Sequence, residues 1–135
     1  MPRALHVAHA VLSLDIGGLE PKAVFSPPAA RLMLNVLLLA AESLPGGGVV
    51  ALSGSPSAQI VVTLAGPRAA WPVRLASCLA DATAAATALD DVRGLQAPLT
   101  ALIAHTNGFR MSLLMPGSTV NAGELPPLLV SFNGR

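Results

Sequence analysis

Residues able to do chemistry are sparse in this chain. Three histidines, His6, His9 and His105, offer imidazole nitrogens that can accept a phosphoryl group or carry a proton. His6 is followed by Val7 and His9 by Ala10, so neither has an acidic neighbour to activate it, and both read as structural or exposed. His105 falls near the C-terminal end of a helical stretch, where a cationic ring complements the dipole; its reading is structural too. Asp90 and Asp91 read as solvated. Ser53, Ser55 and Ser57 have no companion base, so nothing supports a hydrolase. Cys78 is the one cysteine, which excludes an internal disulfide and a cysteine-based zinc site and leaves it as core filler in a reduced, cytoplasmic setting. No catalytic, metal-binding or cofactor-binding residue is therefore expected. What remains is Arg68, Trp71 and Arg74, residue types that anchor interfaces. Either Trp71 caps the core and the arginines are solvated, or the three dock a partner.

The element that must position everything else runs from Ser26 to Gly48. Ser26 is an N-cap and Pro27 occupies the first helical position. Pro45 and the three glycines after it cannot continue a helix. Between these ends, Arg31, Asn35 and Glu42 fall on one narrow stripe of the helical wheel and nearly everything else is apolar. Such a helix belongs in a core, packed across a sheet. Its polar stripe faces either solvent or a site.

Bulk composition narrows the function. A chain of 135 residues is one domain, 1–135, long enough to bury a real core. With a net charge of +1, 11% charged residues and no tyrosine, it has neither the basic surface nor the stacking platforms of a nucleic-acid binder. The longest apolar run, Leu32 to Ala41, is too short to span a membrane and contains Asn35. His6, His9 and Asp15 interrupt the N-terminal apolar stretch, which argues against a signal peptide. So apolar a surface hints that more protein normally covers part of it.

In chain order, Leu5 to Ile16 reads as a strand, with a turn through Gly17-Gly18 and Glu20-Pro21. Val49–Ser53 and Gln59–Leu64 form a hairpin around Gly54-Ser55-Pro56-Ser57. A helix is expected from about Ala70 to Leu79 with Pro72 in its first turn, and the Ala/Thr run Ala82–Ala88 is plausibly helical. Asp90 to Gly94 breaks it. Leu95, Leu99, Leu102 and Ile103 then keep helical spacing to about Thr106, with Asn107-Gly108 as C-cap. Phe109–Met115 and Leu128–Phe132 are the last strands. About five strands and three helices in this order predict an α+β two-layer α/β sandwich with a largely antiparallel mixed sheet.

Two segments carry a family resemblance. Asn35-Val-Leu-Leu-Leu39-Ala40-Ala-Glu-Ser-Leu-Pro45-Gly-Gly47 resembles the N-box of histidine-kinase-type ATPases, and a hairpin follows it as in those proteins. Arg93 to Gly108 resembles the helix after their ATP lid. The resemblance implies a histidine-kinase-like (Bergerat-type) ATPase fold from about Ala23 to Phe132. It also implies that the fold is degenerate. The N-box asparagine that ligates Mg²⁺ is replaced by Leu39, which has no oxygen for a hard cation. Where the Asp-x-Gly-x-Gly box should stand, the chain has Ala65-Gly66-Pro67-Arg68. The lid glycines are reduced to Gly94, so no loop of backbone amides can cradle phosphate.

In this degenerate form, with Ala-Glu-Ser-Leu-Pro-Gly-Gly-Gly after the core helix and Ala-Gly-Pro-Arg-Ala after the hairpin, the chain is similar to the C-terminal domain of ChpT-type bacterial histidine phosphotransferases. The resemblance implies a pseudo-ATPase domain of a phosphorelay protein that needs no cofactor. Its partners would be the receiver domains of response regulators and of a hybrid histidine kinase, with the segment after Gly-Pro-Arg meeting the receiver. Asn35 and Glu42 then cap, face solvent or touch the family's helical hairpin. That hairpin carries the phosphoacceptor His and forms the homodimer, and its His-Asp pair is absent from this sequence. Two other readings stand beside this one, an active ATP-binding kinase domain and an orphan interaction module.

Overall fold

Ser26 starts the long helix as its position demands. Its backbone is extended, its Oγ accepts from the Ala29 N–H at 3.3 Å, and α1 runs from Pro27–Glu42 with proline at its first positions. The computed structural model describes residues 5–7, 10–90, 94–114 and 125–132, with side chains from residue 11 onward. Ahead of α1 lie β1 (Leu5–Val7) and β2 (Ala10–Leu19). After it come the hairpin strands β3 (Gly48–Gly54) and β4 (Ile60–Ala65). Three helices follow, α2 (Leu75–Ala80), α3 (Ala82–Ala88) and α4 (Gln96–Thr106). The last strands are β5 (Arg110–Leu113) and β6 (Leu128–Ser131).

One sheet in the order β1-β2-β3-β4-β6-β5 contains all six strands. Only β2 and β3 run parallel, because α1 crosses between them; every other pairing is antiparallel. Helices therefore cover one face and the chain is an α+β two-layer sandwich. Leu32, Val36 and Leu39 of α1 are fully buried, against Ile60, Val62, Leu128 and Val130 of the central strands. Phe132 meets Phe25 and Phe109 edge-on, at 5.9 and 5.0 Å between ring centroids.

The end of α1 is tied down by Ser43, which is 2% exposed. Its N–H and its Oγ both reach the Leu39 carbonyl, the latter at 2.8 Å, and its own carbonyl accepts from the Ala70 N–H at 2.9 Å. The chain then reverses into β3 through Gly48, whose φ of 143° is costly for any residue with a Cβ.

Four expectations change. Leu5–Ile16 is two antiparallel strands rather than one, and β2 continues through Gly17-Gly18 to Leu19 with a register shift between Asp15 and Gly18. That makes six strands among the described residues. Residues 70–74 are not helical, because Ala70 is bonded to Ser43 and Trp71 is held from β6's side of the sheet, so α2 starts only at Leu75. α4 buries Ala97, Thr100, Ala101 and Ala104, while Leu95 and Leu99 are 40% and 37% exposed, so the leucine spacing does not mark its inner face. The Asp90–Gly94 break is described only at its ends.

A Cβ on Gly48 would sit within 2.2 Å of the Ala65 carbonyl oxygen, which is strand backbone and cannot swing aside. Gly48→Ala is expected to cost roughly 3 kcal/mol, combining positive-φ strain with the displaced β4. Urea unfolding checks it.

Candidate functional site

The polar stripe of α1 splits in the structure. Arg31 and Glu42 are exposed, whereas Asn35 is half-buried against α4. Its Nδ2 donates to the Arg31 carbonyl at 2.9 Å and its Oδ1 accepts from Gln96 Nε2 at 3.0 Å. Gln96 Nε2 also reaches Thr100 Oγ1 at 3.0 Å, and Thr100 is fully buried. Both ends of the Asn35 amide are thus engaged, the nitrogen within α1 and the oxygen in joining α1 to α4. Gln96 and Thr100 escaped the sequence reading. They are an i, i+4 polar pair in the otherwise apolar first half of α4, which is the one trace they leave.

Leu39 lies fully buried on the sheet side of α1. The turn after β4 packs onto the glycines that end the α1 reversal: a Cβ on Gly66 would lie 2.4 Å from the Gly47 carbonyl oxygen. Arg68 lays its stem over Gly46, its Cδ 3.1 Å from the Cβ position there. Gly94 faces the Arg74 guanidinium, whose Nη2 is 3.0 Å from where its Cβ would be. The three places that resemble nucleotide-gripping elements hold a buried leucine, a packed turn and an arginine. Among the described residues, no group of three or more His, Cys, Asp or Glu could hold a metal ion.

Of Arg68, Trp71 and Arg74, the structure places Trp71 in the core. It is 9% exposed, and its Nε1–H donates to the Pro126 carbonyl at 2.8 Å. Arg68 is exposed, Arg74 is half-buried, and Val73 between them is 98% exposed. The loop from Gly66 to Arg74 is therefore pinned by its tryptophan and presents Arg68 and Val73 outward, with Arg74 half-buried at its end against Gly94.

His105 Nε2 lies 2.8 Å from the Cys78 carbonyl oxygen. A carbonyl only accepts, so this nitrogen carries the proton and links α4 to α2. Cys78 is buried, and burial pushes its thiol above the ordinary 9.0, against smaller opposite effects of Arg74 and a Ser77 hydrogen bond. Asp90 is exposed, and Ser55 and Ser57 share a 2.7 Å hydrogen bond across the hairpin turn. His6 lies in β1 with its side chain outside the described residues; His9 and Asp91 lie outside them altogether. No helix among the described residues is long and apolar enough to cross a membrane.

Two measurements check this geometry. Trp71→Phe keeps one aromatic ring but loses the pyrrole half of the indole and strands the Pro126 carbonyl, and is expected to cost about 2 kcal/mol in chemical unfolding. Cys78 favours its neutral form in the fold, so its contribution is complete below the ordinary thiol value and is lost as pH rises through the higher folded one. Cys78→Ala should flatten the loss of stability above pH 9.0 by that amount. Native Cys78 should also react with a thiol reagent far more slowly than the unfolded chain.

Comparison with known proteins follows the same lines. No curated protein matches the chain. A solved bacterial phosphotransferase shares its fold at a TM-score of 0.59 and 22% identity, over 89% of this chain and 54% of that one. The chain thus spans about half the length of that protein. A family profile, the histidine phosphotransferase C-terminal domain, matches residues 8–119, from β2's approach through α1, the pinned loop and α4 to beyond β5. With the profile running through the elements that build the α1–α4 junction, the chain belongs to the histidine phosphotransferase C-terminal domain family.

Proposed function

We propose that this chain is the receiver-docking domain of a cytoplasmic phosphorelay phosphotransferase and binds no nucleotide. The observation that carries the reading is the burial of Leu39 together with the engagement of Asn35 by Gln96. In the ATPases this chain resembles, the cation ligand stands at the first position, and only an uncommitted amide at the second could replace it. Supplying either would require pulling α1 off the sheet or α4 off α1. The domain acts by positioning. A His on a helical segment supplied elsewhere in the protein receives the phosphoryl group, and that segment also holds two copies together. The loop bearing Arg68, Val73 and Arg74 seats the receivers of response regulators and of a hybrid kinase so that the transferring group lies in line with that His. Trp71 contributes by keeping the loop rigid, which lowers the ordering cost of docking.

Calorimetric titration with Mg-ATP is expected to show no saturable binding up to millimolar nucleotide. Micromolar affinity would make the domain an active kinase ATPase and overturn the reading. In the phosphotransferase that includes the helical segment, Arg68→Ala with Arg74→Ala should weaken receiver binding about tenfold without lowering the melting temperature. Unchanged affinity would move receiver docking off this loop, and no receiver binding by the unsubstituted protein would leave an interaction module with no receiver partner.

A further inference from the structure

Strand β5 ends the sheet, paired only with β6 among the described residues. The Leu114 N–H donates to the Pro127 carbonyl at 2.9 Å, and the register pairs Leu113 with Leu128 and Ser112 with Leu129. In an antiparallel ladder, both backbone groups of one residue face the neighbouring strand and both of the next face away. Arg110, Ser112 and Leu114 therefore turn to β6. Met111 and Leu113 present their N–H and C=O groups to the open edge. No described residue takes them up.

This edge is flanked by a groove. Ala76, Leu79 and Ala80 of α2 line a hollow of about 250 Å³ with Met111, Ser112 and Leu113. A second hollow, about 260 Å³, opens between Leu79 and Met111–Ser112 and continues to Arg110 and His105. Leu79, Met111 and Ser112 line both, so the hollows run end to end along the strand. Met111 is buried toward the helices and Ser112 is exposed on the other face. A hollow touching both lies beside the backbone, at the edge itself.

Unpaired among the described residues, a strand edge beside one apolar hollow and one of mixed polarity suits one extended chain. Its backbone would complete the hydrogen bonds of Met111 and Leu113, and alternate side chains would fall into the two hollows against Leu79 and its neighbours. A chain antiparallel to β5 brings its C-terminal end to the exposed Arg110, which favours a carboxylate there. A second copy of β5 suits the edge less well, because its own α2 would be brought to the same groove. We propose that β5 accepts an extended peptide segment of a partner protein as an added strand, apolar at alternate positions and acidic toward its C-terminal end.

The test is fluorescence anisotropy with labelled hexapeptides carrying Val, Leu, Ile or Met at alternate positions and Asp at the last. At least one is expected to bind saturably, and a scan of single backbone N-methylations should weaken it tenfold or more at every second residue only. Arg110→Glu should weaken binding about tenfold, with recovery when the peptide's Asp becomes Lys. Absence of saturable binding across the panel, or N-methylation effects without a two-residue period, would overturn the proposal. So would a concentration-dependent dimer in sedimentation that Leu113→Pro abolishes, since a second copy would then hold the edge.

Discussion

One buried serine joins the parts of this fold that would otherwise be independent. Ser43 bonds back to Leu39 through both its amide and its hydroxyl, which finishes α1, and its carbonyl takes the Ala70 amide, which anchors the loop after β4. The reversal into β3 begins immediately after it. Where α1 stops therefore fixes where β3 begins beside β2, and also where the Arg68–Arg74 loop leaves the sheet. Three hydrogen bonds on the side chain and backbone of one residue are worth only a few kcal/mol in sum. Their weight lies in geometry: shifting Ser43 by one residue turns Leu32, Val36 and Leu39 away from the sheet by 100°.

Around that anchor, the one half-buried polar side chain of α1 has been absorbed into structure. Asn35 spends its amide on Arg31 and Gln96, and the buried Thr100 hydroxyl is satisfied by Gln96. No buried side-chain polar atom among the described residues is left without a partner. A cleft meant for a charged ligand usually keeps polar groups poised but uncommitted. This junction keeps none. The outward face of α1 has gone the other way: Leu34 and Leu38 are 59% and 50% exposed, and Leu14 of β2 is 53% exposed.

The parts of the fold legible in the sequence were those set by local rules. Ser26-Pro27 and Pro45-Gly-Gly-Gly bound α1 correctly because capping and helix breaking act within one turn. The β3–β4 hairpin followed from β-branched runs around a Gly-Ser-Pro-Ser turn, and the substitution at Leu39 was visible as a missing oxygen. What was not legible depended on distant partners. Residues 70–74 stay non-helical because Trp71 finds a carbonyl 55 positions away, which no window of local sequence contains. In α4 the larger residues Leu95 and Leu99 outweighed the alanines in any reading of periodicity, yet close approach to three neighbouring helices selects the smaller face. Of the docking candidates, the sequence offered both roles for Trp71; burial assigns it the internal one, and leaves Arg68 exposed and Arg74 half-buried.

The helix layer is uneven in what holds it. α1 crosses the sheet on long aliphatic side chains, whereas α3 is built only of alanine and threonine and meets its neighbours through Ala85 and Ala88, packed on Cys78 and Ala101. Methyl groups bury little area each, so this corner has little to lose by parting. Amide protons of α3 should thus exchange with solvent through openings far cheaper than global unfolding, while those of α1 wait for the whole sheet to come apart.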